Sequence, residues 1–176
     1  PAGPLLDKLR RYCTSLAQVT FDHFPGSQPV SFGRGDLETL RRHQFLVAEK
    51  SDGVRYLLML YKQPSKPSVV FLVDRKYNFY PVKDFPLPSN DMEPFLLDGE
   101  LVQDFASYSQ HTSSSASHDR ESEPPSQSTF VVFDTIHMNG RYVGNLSLTD
   151  RLRVAQGMFV FFTQSVASQA LAARNL

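Results

Sequence analysis

The chain has 176 residues, enough for one domain with a buried core. Lysine plus arginine and aspartate plus glutamate both total 18, so the formal net charge is zero. That balance argues against bulk nonspecific nucleic-acid binding and against membrane attachment, while leaving room for a local basic groove.

Cys13 is the sole cysteine, which excludes a disulfide framework and a cysteine zinc site and fits a reducing compartment. No run approaches the roughly 20 apolar residues of a membrane span. Met158–Phe162 is far shorter. Arg10 and Arg11 follow the first apolar residues instead of preceding a long apolar core, unlike a secretory leader. A start at Pro1 reads as a piece of something longer.

Pro4, Leu5, Leu6, Leu9, Tyr12, Cys13 and Leu16 have near-helical spacing with proline in the first turn, which predicts a short amphipathic helix. FPGSQPVSF, Phe24–Phe32, predicts an extended loop held by two prolines and a glycine. Asp36 is placed to cap a short helix through Leu40 and Arg42. Arg34, Arg41, Arg42 and His43 form a small basic cluster, read as a solvated helix face before an RNA contact.

Phe45–Leu60, FLVAEKSDGVRYLLML, predicts a β-hairpin: Leu46–Ala48 as one strand, Asp52-Gly53 as turn, Tyr56–Leu60 as the return. Such a hairpin would gather Lys50, Asp52 and Arg55 at one sheet end, a set that suits an amine nucleophile facing a phosphate. A turn and nothing more is the plainer reading of a lone K-x-D-G.

Gln63–Ser68 predicts a turn, and Val69–Asp74 and Phe79–Val82 the next strand pair, joined around Arg75–Asn78. Pro86 and Pro88 mark a loop. Leu96–Val102 and Phe130–Ile136 are apolar and β-branched, hence strands. Ser107–Thr129 is too polar to bury a core and predicts a disordered surface insertion. His111 and His118 inside it lack the fixed geometry a metal needs. Thr149 or Asp150 is expected to open a helix carrying Leu152 and Val154, broken at Gly157 before MFVFF. Ser165–Leu176, alanine-rich, predicts a marginal helix.

Four patches then need one explanation: Lys50, Asp52, Gly53 and Arg55; Asp74 and Arg75; Asp98, Gly99 and Glu100; Phe133 and Asp134. Taken singly, Asp98-Gly99 reads as a turn, Asp74-Arg75 as a surface pair and Phe133 as a core aromatic. In this order, KSDGVR, LLDGELV and FVVFD together resemble the covalent nucleotidyltransferases, the superfamily of mRNA capping guanylyltransferases and ATP-dependent DNA and RNA ligases. FPGSQPVSF, VFLVDRKYNFYPV, LLDGELV and FVVFDTIHMNGRYVGNLSLTDRL make the chain similar to the capping guanylyltransferase domain of the cellular, animal-like type. The likeness runs from about Phe24 to Leu152.

The resemblance implies an α+β nucleotidyltransferase fold, that of the DNA ligase/mRNA capping enzyme catalytic core (ATP-grasp-like), with antiparallel sheets around a nucleotide cleft. It divides the chain into an N-terminal helix and linker (1–23), a core (24–153, with 107–129 as the insertion) and a divergent tail (154–176). The core is expected to be incomplete at its C-terminus. The acidic-glycine strand, the paired-lysine strand and the OB-fold domain that follow in the family, and the upstream RNA triphosphatase domain, are not expected within this sequence.

The resemblance also implies ping-pong chemistry. Lys50 attacks the α-phosphate of GTP, and the 5′-diphosphate end of nascent mRNA then takes the GMP. Arg55 and Arg75 contact ribose or phosphate, Glu100 serves the ribose or the metal, and Phe133 stacks on guanine. Asp52 orients the loop or metal, and Tyr80 lines the nucleotide pocket. Mg²⁺ (or Mn²⁺) suits the phosphate oxygens. A free lysine has a pKa near 10.4, so about one in two thousand is neutral at pH 7, and a site using it must lower that value.

Two rivals stay open. An ATP-dependent polynucleotide ligase shares Lys50, Glu100 and Phe133. A noncatalytic binding module would contact the phosphorylated tail of RNA polymerase II through basic surface. Nuclear localisation follows from the family alone.

Overall fold

The computed structural model describes residues 3–20, 23–83, 85, 87, 92–104 and 127–157. Its elements are α1 (Pro4–Ala17), α2 (Asp36–Arg42), β1 (Val54–Gln63), β2 (Lys66–Val73), β3 (Phe79–Pro81), β4 (Leu96–Asp104), β5 (Gln127–Met138), β6 (Arg141–Tyr142) and α3 (148–157). The described strands form a single six-stranded sheet, not several, in the order β3-β2-β1-β4-β5-β6, and every pairing is antiparallel.

The apolar alternation of β1 decides the layering, because successive side chains in a strand point to opposite faces. Leu57, Met59 and Tyr61 meet α1 on one face, where Leu9, Cys13, Leu16 and Ala17 are buried with Phe71, Val73 and Phe79. The 9, 13, 16 spacing is the stripe expected of an amphipathic helix, and Pro4 stands in its first turn. Leu58 and Leu60 face the other way and join Val70, Phe95, Leu97 and Met138, with Phe85, Leu87, Met92 and Val154 packed over them. The sheet is thus covered on both sides.

The expected hairpin of Leu46–Ala48 with Tyr56–Leu60 does not form. Residues 44–53 have no regular structure, and Phe45, Leu46 and Val47 are exposed. The reason lies in β1, whose hydrogen-bonding edges are both taken, by β2 (Leu57 opposite Val73) and by β4 (Arg55 opposite Glu100). Gly53 serves a different purpose from a turn. A Cβ there would stand 2.5 Å from the Leu101 carbonyl oxygen, so glycine lets the start of β1 approach β4. The hairpin that does form joins β1 to β2 through Pro64 and Ser65, the latter at φ 61°.

Several boundaries shift. Asp36 is the first residue of α2 and not its cap: Gly35 holds the cap position, and the Asp36 carboxylate accepts a bond from Gly33 N (2.7 Å). β2 starts at Lys66, inside the expected turn, and ends at Val73, leaving Asp74 in the turn; β3 ends at Pro81. Asp98-Gly99 is no turn but the middle of β4. β5 begins at Gln127, so the last residues of the expected insertion belong to a strand, paired as far as Asp104–Gln127. The rest of that insertion, and the expected helix at Ser165–Leu176, lie outside the described residues.

α3 starts earlier than Thr149, with the Ser147 hydroxyl exchanging bonds with Asp150. Gly157 is its last described residue, so the expected break before MFVFF lies at the edge of the described residues. Among the described residues no helix is long and apolar enough to cross a membrane.

Candidate active site

The start of β1 is where the chemistry-bearing residues collect. Directly opposed residues of an antiparallel pair share a face, so Arg55 opposite Glu100 and Leu57 opposite Asp98 bring one guanidinium and two carboxylates onto the α1 side of the sheet. Arg55 donates from Nε to Asp98 Oδ1 (2.9 Å) and from Nη2 to Asp98 Oδ2 (2.6 Å). Its guanidinium also stands 5.4 Å from the Phe24 ring centre and 5.5 Å from that of Phe133, within cation–π range of both.

Asp98 is 1% exposed. Burial pushes its carboxyl above the ordinary carboxylate range, against the pull of the Arg55 bonds. The hydrogen bond to Asp98 in turn raises the already high Arg55 value, so the guanidinium stays charged.

Phe133 reaches Arg55 because β5 is bulged. Val132 pairs with Gly99 and Asp134 with Asp98, which leaves Phe133 as the extra residue between them. Its ring is 40% exposed, leaving part of its surface open. The neighbouring Asp134, opposite Asp98, adds its negative charge to that of Asp98 beside Arg55. Its carboxylate accepts from Arg151 Nε (2.7 Å) and Nη2 (2.9 Å), fastening α3 to the sheet.

A cleft of about 520 Å³ opens beside this end of β1, lined among others by Arg55, Asp74, Arg75, Lys76, Tyr80 and Glu100. The Tyr80 hydroxyl donates to Asp74 Oδ2 (3.0 Å), and its ring meets Tyr56 edge-on at 6.4 Å. Of the residues singled out in the sequence, Arg55, Arg75, Tyr80 and Glu100 therefore line one cavity, with Phe133 adjoining through Arg55.

Lys50 and Asp52 do not line it. Both are exposed in the segment before β1, where Lys50 Nζ donates to the Ser51 carbonyl (3.3 Å). That segment is tied to the cleft through its next residue, since the Ser51 hydroxyl donates to Glu100 Oε2.

Sequence reasoning gave no role to Asp98, Phe24, Lys76 or Asp74. For Asp98 a signal was present: the D-x-E spacing on one strand puts both carboxylates on one face. For Phe24 the segment FPGSQPVSF stood out, but the contact with Arg55 joins distant parts of the chain and no local pattern announces it.

No three His, Cys, Asp or Glu side chains group into a metal cage among the described residues. A magnesium ion commonly takes one or two carboxylates and completes its shell with phosphate oxygens and water. Glu100, a hard oxygen donor at the cleft wall, fits that demand.

The family model described as the mRNA capping enzyme catalytic domain matches residues 5–173. The chain belongs to the mRNA capping enzyme catalytic-domain family. Among its relatives, the mRNA-capping enzyme subunit alpha of Neurospora crassa is 51% identical over 89 residues, covering 46% of this chain and 22% of that protein. The Schizosaccharomyces pombe protein of the same name is 47% identical over 106 residues, 54% of this chain and 26% of the relative. The mRNA-capping enzyme of Danio rerio is 25% identical over a longer stretch, 155 residues, 85% of this chain and 22% of the relative. The chain thus spans about a quarter of the length of the curated relatives it matches.

Proposed function

We propose that this chain carries out guanylyl transfer in mRNA cap formation, as part of the nucleotidyltransferase core shared by capping enzymes and ligases. The observation that carries this is the family match over residues 5–173, joined to a cleft in which Arg55, Arg75 and Glu100 converge. In the first step the Lys50 amine attacks the α-phosphorus of GTP. A phosphorus–nitrogen bond forms, the bond to the bridging oxygen breaks, and pyrophosphate leaves. In the second, a terminal phosphate oxygen of a 5′-diphosphate RNA attacks the same phosphorus and the lysine is released. Such splitting of one displacement into two is the usual gain of covalent catalysis.

Each residue has a task in this reading. Arg75 and Arg55 hold ribose or phosphate oxygens, and Phe133 offers its exposed ring to the guanine. Tyr80 closes the wall of the pocket, and Asp52 orients the segment that bears the lysine. Glu100 would hold Mg²⁺ or Mn²⁺ together with the triphosphate, or else the ribose. When bound, the cation offsets phosphate charge. Lys50 starts outside the cleft, so the segment 44–53 closes inward when nucleotide binds, with Ser51 on Glu100 as its pivot. A nascent-mRNA substrate would call for a nuclear protein working near the phosphorylated tail of RNA polymerase II.

Incubation with α-labelled GTP and with α-labelled ATP, followed by denaturing electrophoresis, tests the proposal. A labelled band with GTP that vanishes in Lys50→Ala is expected. A band with ATP alone would make the chain a ligase, and no band from folded protein would make it a noncatalytic module.

A further inference from the structure

The turn between β2 and β3 is held more firmly than a connection needs to be. The Asp74 carboxylate accepts four hydrogen bonds, from Lys76 N (2.9 Å), Asn78 N (2.8 Å), Asn78 Nδ2 (3.0 Å) and Tyr80 Oη (3.0 Å). Backbone bonds from Asp74 N to Asn78 O (3.0 Å) and from Tyr77 N to Asp74 O (2.9 Å) close it. Tyr77 at its centre has φ 63°, a conformation bulky side chains avoid. That residue is itself anchored: its ring is buried, and its hydroxyl donates to the Arg10 carbonyl of α1 (3.0 Å).

What this frame holds out into the cleft is a pair of adjacent cations, Arg75 and Lys76. Neither makes an ion pair among the described residues. The acids of the same cleft are already engaged, Asp74 within the turn and Glu100 by Ser51. The unmet charge of the cavity is therefore positive and sits on a rigid support. A compact ammonium beside a guanidinium suits a polyphosphate.

We infer that Lys76, with Arg75 beside it, binds the terminal phosphates of the nucleoside triphosphate in this cleft, and that Asp74 is the positioning residue that holds the pair there. The inference rests on the guanylyl-transfer reading and names a contact within it.

Equilibrium binding of GTP and of GMP to the full chain, on a Lys50→Ala background so that no adduct forms, tests it. Lys76→Gln is expected to weaken GTP binding about tenfold, the worth of one charge-assisted hydrogen bond, with GMP changed by less than about twofold. Asp74→Asn lowers the same GTP-to-GMP preference while the melting temperature stays near that of the parent. Lys66→Gln, a cation at the far end of β2, alters neither ligand. Should Asp74→Asn unfold the chain, Lys76→Gln at an exposed position still decides.

Equal losses for GTP and GMP would overturn the inference, as would a loss confined to RNA bearing a 5′-diphosphate. If wild-type protein forms no adduct but GTP binding still depends on Lys76, the transfer reading falls and this one stands. No GTP binding by any form overturns both.

Discussion

Arg55 is held on three sides, by a bidentate carboxylate and by the rings of Phe24 and Phe133. A buried ion pair is weak evidence for stability, because desolvation offsets most of the Coulombic gain. What the arrangement fixes is the direction of the guanidinium at the cleft. Removing one partner is another matter, since it leaves a charge stranded. Asp98→Ala is therefore expected to cost about 3 kcal/mol in denaturant unfolding and to weaken nucleotide binding as Arg55 loses its orientation. Unchanged stability in that variant would show that Arg55 finds another partner at no expense.

At the scale of elements, α1 docks on the sheet through its apolar stripe and through one polar contact near its end, between His137 Nδ1 of β5 and the Leu16 carbonyl (3.1 Å). The carbonyl can only accept, so Nδ1 carries the proton. Burial lowers the His137 value below its ordinary 6.5, while the bond to Leu16 works against that. The unfolded chain then takes up a proton at a higher pH than the folded one. The contribution of His137 to stability is fully present above about pH 6.5 and is lost as pH falls from there toward the folded value. His137→Gln keeps a donor but does not titrate, so its unfolding free energy should fall less between about pH 7.5 and pH 5.5 than that of the wild type. Parallel slopes would place the pH dependence elsewhere. On the same helix, burial pushes the Cys13 thiol up to about 12, so it should resist thiol reagents until the protein unfolds.

Elements were legible in the sequence wherever periodicity is local. The stripe from Leu9 to Leu16 and the apolar runs of β1, β2, β4 and β5 announce α1 and the strands. The partners of those strands were not so legible. Asp52-Gly53 has the chemistry of a hairpin turn, yet β1 chose β2 and β4, because two full ladders outweigh one short one. The bulge that frees Phe133 was equally hidden, since it depends on the register of β5 against β4 and not on any run of residue types.

For the whole molecule, a sheet packed on both faces carries its cleft at one end of β1, with the segment bearing Lys50 just outside. The motif residues predicted a common site, and Arg55, Arg75, Tyr80 and Glu100 do share one cavity. Lys50 and Asp52 were legible as chemistry but not as position, because the exposed segment 44–53 takes its place from contacts no local pattern encodes.

The central claim is that Lys50 moves onto the α-phosphorus of a bound GTP. Intact-mass measurement after incubation with GTP and a divalent cation, followed by mapping of the modified peptide, tests it most directly. The account predicts a gain of one GMP per chain, located on Lys50 and reversed by added pyrophosphate. A gain on another residue, or none from folded protein, would contradict it.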